Sequence, residues 1–319
     1  MSMKLLVKTL CLCAIIFFAG CSQKPADKEI GKSAIRVVAT IGMIADVAKN
    51  VGGERVEVEG LMGPGIDPHL YKASAGDVRV LSQADIILYN GLHLEAKMGD
   101  ILHHMKNKKV AAVSGTVPEE RLLVSQKYAD APDPHIWFDV SLWMIVAQNI
   151  CDIFAEYDPE HADYYKSNAE AYIRQMSELD AYVKQRALAL QEDRRVLITA
   201  HDAFHYFGKA YGFEVYGLQG ISTEAEAGAA DVRKLADFIA EREIPAIFVE
   251  SSIPRRNVEA LQAAVQSRGF NVEIGGELFS DAMGNAGTPE GTYLGMVRHN
   301  IDTIADALAG KKSESPHKE

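Results

Sequence analysis

Residues 158–191 read DPEHADYYKSNAEAYIRQMSELDAYVKQRALALQ, and no glycine or proline interrupts the run from Glu160 to Gln191. Tyr165, Ala169, Tyr172, Met176, Leu179, Val183, Ala187 and Leu190 recur three or four apart, the spacing that lines one face of an α-helix. Asp158 offers an N-cap acceptor and Pro159 the fixed φ of a first helical position, so one helix is predicted to open here. At about 1.5 Å per residue it would extend about 50 Å, enough to run along two lobes of one chain. The alternative is a helical hairpin or a coiled-coil partner surface. Neither a turn signal nor a sustained heptad charge pattern accompanies the run.

Strand-like and helix-like pieces alternate on both sides of this stretch. Before it, strands are predicted at residues 36–41, 56–61, 86–89 and 109–113, with helices at 44–51, 74–83, 94–104 and 140–157. After it, strands at 195–200, 213–218, 246–250 and 271–274 alternate with helices at 204–211, 229–242, 255–267 and 293–308. Such βαβα order implies an α/β fold of parallel sheets with helices on both faces. A chain of 319 residues with 48% hydrophobic residues can fill two cores of this kind.

The first twenty residues differ in kind. Lys4 and Lys8 precede an apolar run from Leu10 to Phe18, then Ala19-Gly20 stand before Cys21. This is the order of a secretory signal peptide, too short for a lasting membrane helix. The Ala-Gly-Cys ending resembles the bacterial lipobox, which implies cleavage before Cys21 and acylation of its thiol; Phe18 stands where that pattern usually has Leu. Cys11 and Cys13 would leave with the signal, so only Cys151 remains in the body and no internal disulfide can form. Cys151 falls among Val146, Ile150, Ile153 and Phe154 and reads as a small buried hydrophobe. The formal net charge of −11 argues against nucleic acid as a partner.

Three histidine segments follow one another at similar intervals: Asp67-Pro68-His69, Asp133-Pro134-His135 and Ala200-His201-Asp202. Asp281, in Phe279-Ser280-Asp281-Ala282, comes after a longer interval. Each is predicted to lie in a loop or just beyond a strand, His201 at the start of a helix and Asp281 after a Gly-Gly turn. Open parallel sheets bind ligands at such carboxyl ends. Three neutral imidazoles and a carboxylate suit a borderline-soft dication. Glu250, Asp202 and Asp139 are candidates to orient the imidazoles through their other ring nitrogen. His205, four residues after His201, could share its face, but Asp202 stands where a metalloprotease helix needs Glu, so His205 reads as structural. His103 and His104 stand among lysines, and His93, His161, His299 and His317 form no ligand spacing.

Segments 63–69 (Gly-Pro-Gly-Ile-Asp-Pro-His), 90–95 (Asn-Gly-Leu-His-Leu-Glu), 133–139 (Asp-Pro-His-Ile-Trp-Phe-Asp), 199–204 (Thr-Ala-His-Asp-Ala-Phe) and 279–284 (Phe-Ser-Asp-Ala-Met-Gly) together resemble the cluster A-I substrate-binding lipoproteins of ABC importers, the TroA/ZnuA-like family, nearest its TroA branch. The resemblance runs in order from about residue 35 to about residue 310. It implies two lobes joined by one long helix, with His69, His135, His201 and Asp281 as metal ligands between them. The implied function is extracytoplasmic capture of Zn2+ and delivery to a membrane permease. Manganese or iron is the alternative cargo within the family. The manganese branch often has Glu where this chain has His201, whereas a bidentate Asp281 would also admit manganese. Many zinc importers of this kind carry a histidine-rich loop, and residues 105–134 contain no histidine. A secreted zinc enzyme is the competing class, but no nucleophile elbow, phosphate loop or metalloprotease helix appears, and no enzyme is expected.

The expected organisation is then a lipoprotein signal peptide (1–20), a tether (21–34), an N-terminal metal-binding lobe (35–157), a linking helix (158–192), a C-terminal metal-binding lobe (193–310) and a tail (311–319). The protein is expected to be a monomer held to the cell envelope by lipid on Cys21, facing the periplasm or the exterior.

Overall fold

The computed structural model describes residues 34–105, 107–124 and 132–310. The expected signal peptide, Cys21, the tether up to residue 33 and the tail 311–319 lie outside the described residues, as does His317.

In the first half, β1 (Ile35–Ala39), α1 (Gly42–Gly52), β2 (Val56–Gly60), α2 (Ala75–Gln83), β3 (Ile86–Tyr89), α3 (Gly99–His104) and β4 (Lys109–Ala112) build a four-stranded parallel sheet of order β2-β1-β3-β4. The β-branched Ile35, Val37 and Val38 favour the extended chain, and Ile86, Ile87 and Leu88 bury on both faces as a central strand must. Ser74 and Asp77 start α2 with a capping box, each side chain bonding the other's backbone N–H. α4 (Val140–Tyr157) opens where Asp139 accepts from the N–H groups of Ser141 and Leu142.

Between the halves lies α5 (Ala162–Leu188), led in by a 3-10 turn at Pro159–His161. It is shorter than the periodicity suggests, about 40 Å at about 1.5 Å per residue. The Asp158 side chain caps no backbone N–H. It accepts instead from the Tyr165 hydroxyl at 2.9 Å and from Arg55 at 3.3 Å. Tyr165, Ala169, Tyr172, Met176, Leu179, Val183 and Ala187 of α5 are buried, the stripe the sequence marks out.

The second half contains β5 (Val196–His201), α6 (His205–Tyr211), β6 (Glu214–Gln219), α7 (Ala229–Glu241), β7 (Ala246–Glu250), α8 (Arg256–Gln266), β8 (Glu273–Leu278) and α9 (Tyr293–Leu308). β5 pairs with β6 and β7 with β8 in two parallel two-stranded sheets, and β5 packs beside β7. α5 packs on α1 and α4 of the first half and on α9 of the second. One apolar core is continuous from β1 and α1 through α5 to Phe204, Phe207 and α9; a smaller one fills the space between these two strand pairs and α7 and α8. Cys151 is buried in the larger core.

Three further expectations need correction. The predicted helix from Leu94 begins instead with Gly91, Leu92 and His93 at positive φ and a 3-10 turn at Ala96–Met98. The cause is Glu95, whose buried carboxylate turns back to accept from the N–H groups of Asn90 and Gly91 and from the Thr40 hydroxyl. His201 closes β5 rather than opening a helix, which starts at His205. The last strand runs through Gly275-Gly276 to Leu278 with a register shift, where a turn was expected. A β-carbon on either glycine would stand 2.5–2.7 Å from Thr303 or Ala307, so these glycines let α9 lie close on the strand.

Candidate metal centre

The first sheet reverses strand order once, between β1 and β3, and chains leaving such a switch point diverge to leave a crevice. His201 ends β5 and Glu250 ends β7, strands that pack beside one another. Asp281 follows β8, and Gly217 of β6 presses against the His201–Asp202 backbone, where a β-carbon would come within 2.3 Å of Asp202 N. From the first half, His69 stands in the loop after β2 and His135 in the segment before α4. In both Asp-Pro-His segments the aspartate accepts from the histidine N–H at 2.9 Å, an Asx turn that fixes where the ring starts.

The structure brings all four predicted residues together. One donor atom from each of His69, His135, His201 and Asp281 lies within 4.8 Å of the others, and the residues are 5%, 0%, 0% and 1% exposed. Nε2 of His69 is 3.2 Å from Nε2 of His135. From Asp281, Oδ2 is 3.2 Å from His201 Nε2 and 3.6 Å from His69 Nε2, while Oδ1 is 3.3 Å from His135 Nε2. Donors about 2.0 Å from a tetrahedral zinc would be about 3.3 Å apart, which these separations match.

Despite this closeness, His201 Nε2 and both Asp281 oxygens have no hydrogen bond of acceptable geometry among the described residues. They lie close together with their bonding capacity unspent. Buried polar atoms left so are costly, about 1–3 kcal/mol each, and a cation between them would satisfy them. The donor set therefore fits a dication.

The far ring nitrogens are held. His135 Nδ1 is 2.7 Å from Asp133 Oδ1 and His201 Nδ1 is 2.5 Å from Glu250 Oε2. Each bond places the ring proton on Nδ1 and turns the Nε2 lone pair inward. Burial opposes protonation of all three rings. In His69 it dominates and lowers the pKa to about 3. In His135 the Asp133 and Asp281 carboxylates overcome it and lift the ring to about 9, and Glu250 with Asp281 raises His201 likewise. Burial works against ionised Asp281 too, yet His201 and His135 hold it well below the usual carboxylate range. A divalent cation would replace imidazolium charge with its own.

Other sequence candidates stand elsewhere. Asp139 caps α4 and pairs with Arg121, and Asp202 accepts from Gly217 N and lies 3.8 Å from His205 Nε2. Glu250 bonds the His201 ring. Asp133, overlooked as a partner, was legible only as the first residue of its Asp-Pro-His segment. His205 points at Asp133 and Asp202 and lies outside the four-residue group. His104 and His299 bond backbone carbonyls and His161 bonds Asp158.

Residues 37–307 match the family described as ZnuA, zinc-uptake complex component A, periplasmic. The zinc-binding protein TroA of Treponema pallidum is 57% identical over 274 residues, 86% of this chain and 88% of its own. Its solved structure, a periplasmic zinc-binding protein, superposes with a TM-score of 0.85 at 55% identity, over 86% of this chain and 99% of that one. The manganese-binding lipoprotein MntA of Bacillus subtilis is 45% identical over 303 residues, 93% of this chain and 98% of its own. The manganese ABC transporter substrate-binding lipoprotein PsaA of Streptococcus pneumoniae is 30% identical, over 96% of this chain and 99% of its own.

Proposed function

This chain belongs to the ZnuA/TroA family of metal-binding substrate-binding proteins, and from that premise we propose that it captures Zn2+ outside the cytoplasm and hands it to an ABC importer permease. The metal is cargo, and His69, His135, His201 and Asp281 are its ligands. Residues 35–157 and 193–310 form the two ligand-bearing lobes, with 158–192 joining them. A lipid on Cys21 would hold a monomer to the cell envelope; no described helix is long and apolar enough to cross a membrane.

The observation that carries this reading is the convergence of three Nε2 atoms and both Asp281 oxygens on one buried point. A catalytic zinc keeps a position open to water and substrate, whereas four donors no more than 5% exposed enclose the ion, which suits capture rather than turnover. Three imidazoles favour zinc over manganese by ligand softness. Manganese is the second reading, because both Asp281 oxygens turn inward and could raise the coordination number, and because relatives named for manganese are 45% and 30% identical to this chain.

Competitive titration with Zn2+ and Mn2+ decides between the cargoes: zinc should bind more tightly, and equal affinity would reject that preference. His201→Ala should weaken zinc by at least the about 10–100-fold typical of a lost supporting bond. An unchanged affinity would remove His201 from the ligand set.

A further inference from the structure

The two flanks of the crevice are closed in different ways. On the His135 flank the halves are joined by buried, interlocking contacts. Phe138 stacks on Phe204 with centroids 4.2 Å apart, Trp137 Nε1 donates to Ser280 O at 3.1 Å, and the Tyr293 and Tyr206 hydroxyls donate to the carbonyls of Trp137 and Asp133. On the His69 flank, the segment from Gln219 at the end of β6 to Gly228 before α7 crosses to the first half. It makes two polar contacts there. The Thr223 hydroxyl donates to Asp67 Oδ2 at 2.6 Å, and Glu224 pairs with Lys97 at 3.0 Å. Asp67 is the residue whose other oxygen holds the His69 N–H, and His69 is the most exposed of the four converging residues.

The geometry points to residues 219–228 as a strap that controls metal retention, with Thr223 and the Lys97–Glu224 pair as its fastenings and the path past His69 as the metal's way in and out. This rests on the metal-binding reading above. Thr223 is 6% exposed and spans the halves through a single short bond to a carboxylate, a charge-assisted contact of the stronger kind. Lifting the strap breaks that bond and one part-exposed ion pair and leaves the aromatic flank intact. Opening the other flank would separate buried rings and unpair buried carbonyls, so release by that route is far more costly. Because Asp67 joins Thr223 to the His69 turn, a lifted strap also frees the turn that aims His69, and its grip on the ion loosens as the path opens.

The test is the rate at which the purified full chain, loaded with Zn2+ alone, loses the ion to an excess of chromophoric chelator. Thr223→Val should speed loss about tenfold, as expected when a charge-assisted bond is removed, whereas Thr223→Ser keeps the hydroxyl and should match the parent. Lys97→Glu and Glu224→Lys should each speed loss about two- to threefold, the effect of a part-exposed pair, and the double swap should restore the parent rate. That restoration is a readout mere destabilisation would not produce, and it decides the matter should Thr223→Val fail to fold. Unchanged loss rates in Thr223→Val and both charge variants, or failure of the double swap to restore, would overturn the strap. Absence of zinc binding by the parent chain would instead overturn the reading beneath it.

Discussion

Asp-Pro-His occurs twice, and both copies fold into the same turn, yet their aspartates do different work. Asp133 bonds both the N–H and the ring of its histidine, whereas Asp67 bonds the N–H and reaches across to Thr223. Local sequence thus sets where a ring begins, and the surrounding fold sets what steadies it. This is why the four converging residues were legible from residue type and position, while the supporting carboxylates were legible only for Glu250. Asp139 and Asp202 are close to histidines in sequence, but Asp139 caps the α4 N-terminus and Asp202 accepts from Gly217 N. Glu250 and Asp133 supply testable cases. Glu250→Gln keeps an acceptor for His201 Nδ1 but removes its charge, and Asp133→Asn does the same for His135. Each is expected to lower zinc affinity by about 10–100-fold with the fold retained, measured by chelator competition alongside far-UV circular dichroism. Wild-type affinity in both variants would mean that the inward aim of the rings does not depend on these carboxylates.

At the scale of the element, α5 shows what periodicity can and cannot read. Its buried stripe follows the apolar spacing residue for residue, because a helix repeats its geometry whatever it packs against. Its ends do not, since they depend on distant partners. Asp158 is drawn from capping to Tyr165, His161 and Arg55, and the first turn tightens to 3-10. The Gly-Gly pair of β8 misleads for the same reason, its strand role being set by α9 lying against it. Burial disfavours ionised Asp158, but its bonds from His161 and Tyr165 and the nearby Arg55 charge prevail and lower its pKa. A carboxylate lowered in the folded state stabilises the protein above its unfolded pKa of about 3.9, and that contribution disappears as pH falls through the folded value. Asp158→Asn should therefore cost about 1–2 kcal/mol at pH 7 and progressively less in acid. Urea unfolding at pH 7 and at about pH 3 checks this; an equal penalty at both would assign the effect to shape rather than charge.

For the molecule as a whole, each half contributes ligand candidates to one point, and the larger apolar core runs from one half to the other through α5. The βα order of each half was readable from hydrophobic periods, but their juxtaposition was not, because it depends on α5 lying against α1, α4 and α9 at once. Arg186 and Tyr182 fasten α5 to Asp302 of α9, and Tyr172 fastens it to Asp46 of α1, so the helix is bonded to both halves. Two consequences follow from such a frame. Neither half should unfold before the other, since most of the larger core is shared. A cation held by ligands from both halves should then stabilise the entire described fold rather than one part of it. With free zinc at about 1,000 times the dissociation constant, binding adds about 4 kcal/mol, and at about 2–4 °C per kcal/mol the single transition should rise by roughly 10 °C. Calorimetry with and without chelator measures this directly. A first transition indifferent to zinc, followed by one that moves, would show that the halves unfold separately and that the shared core does not couple them.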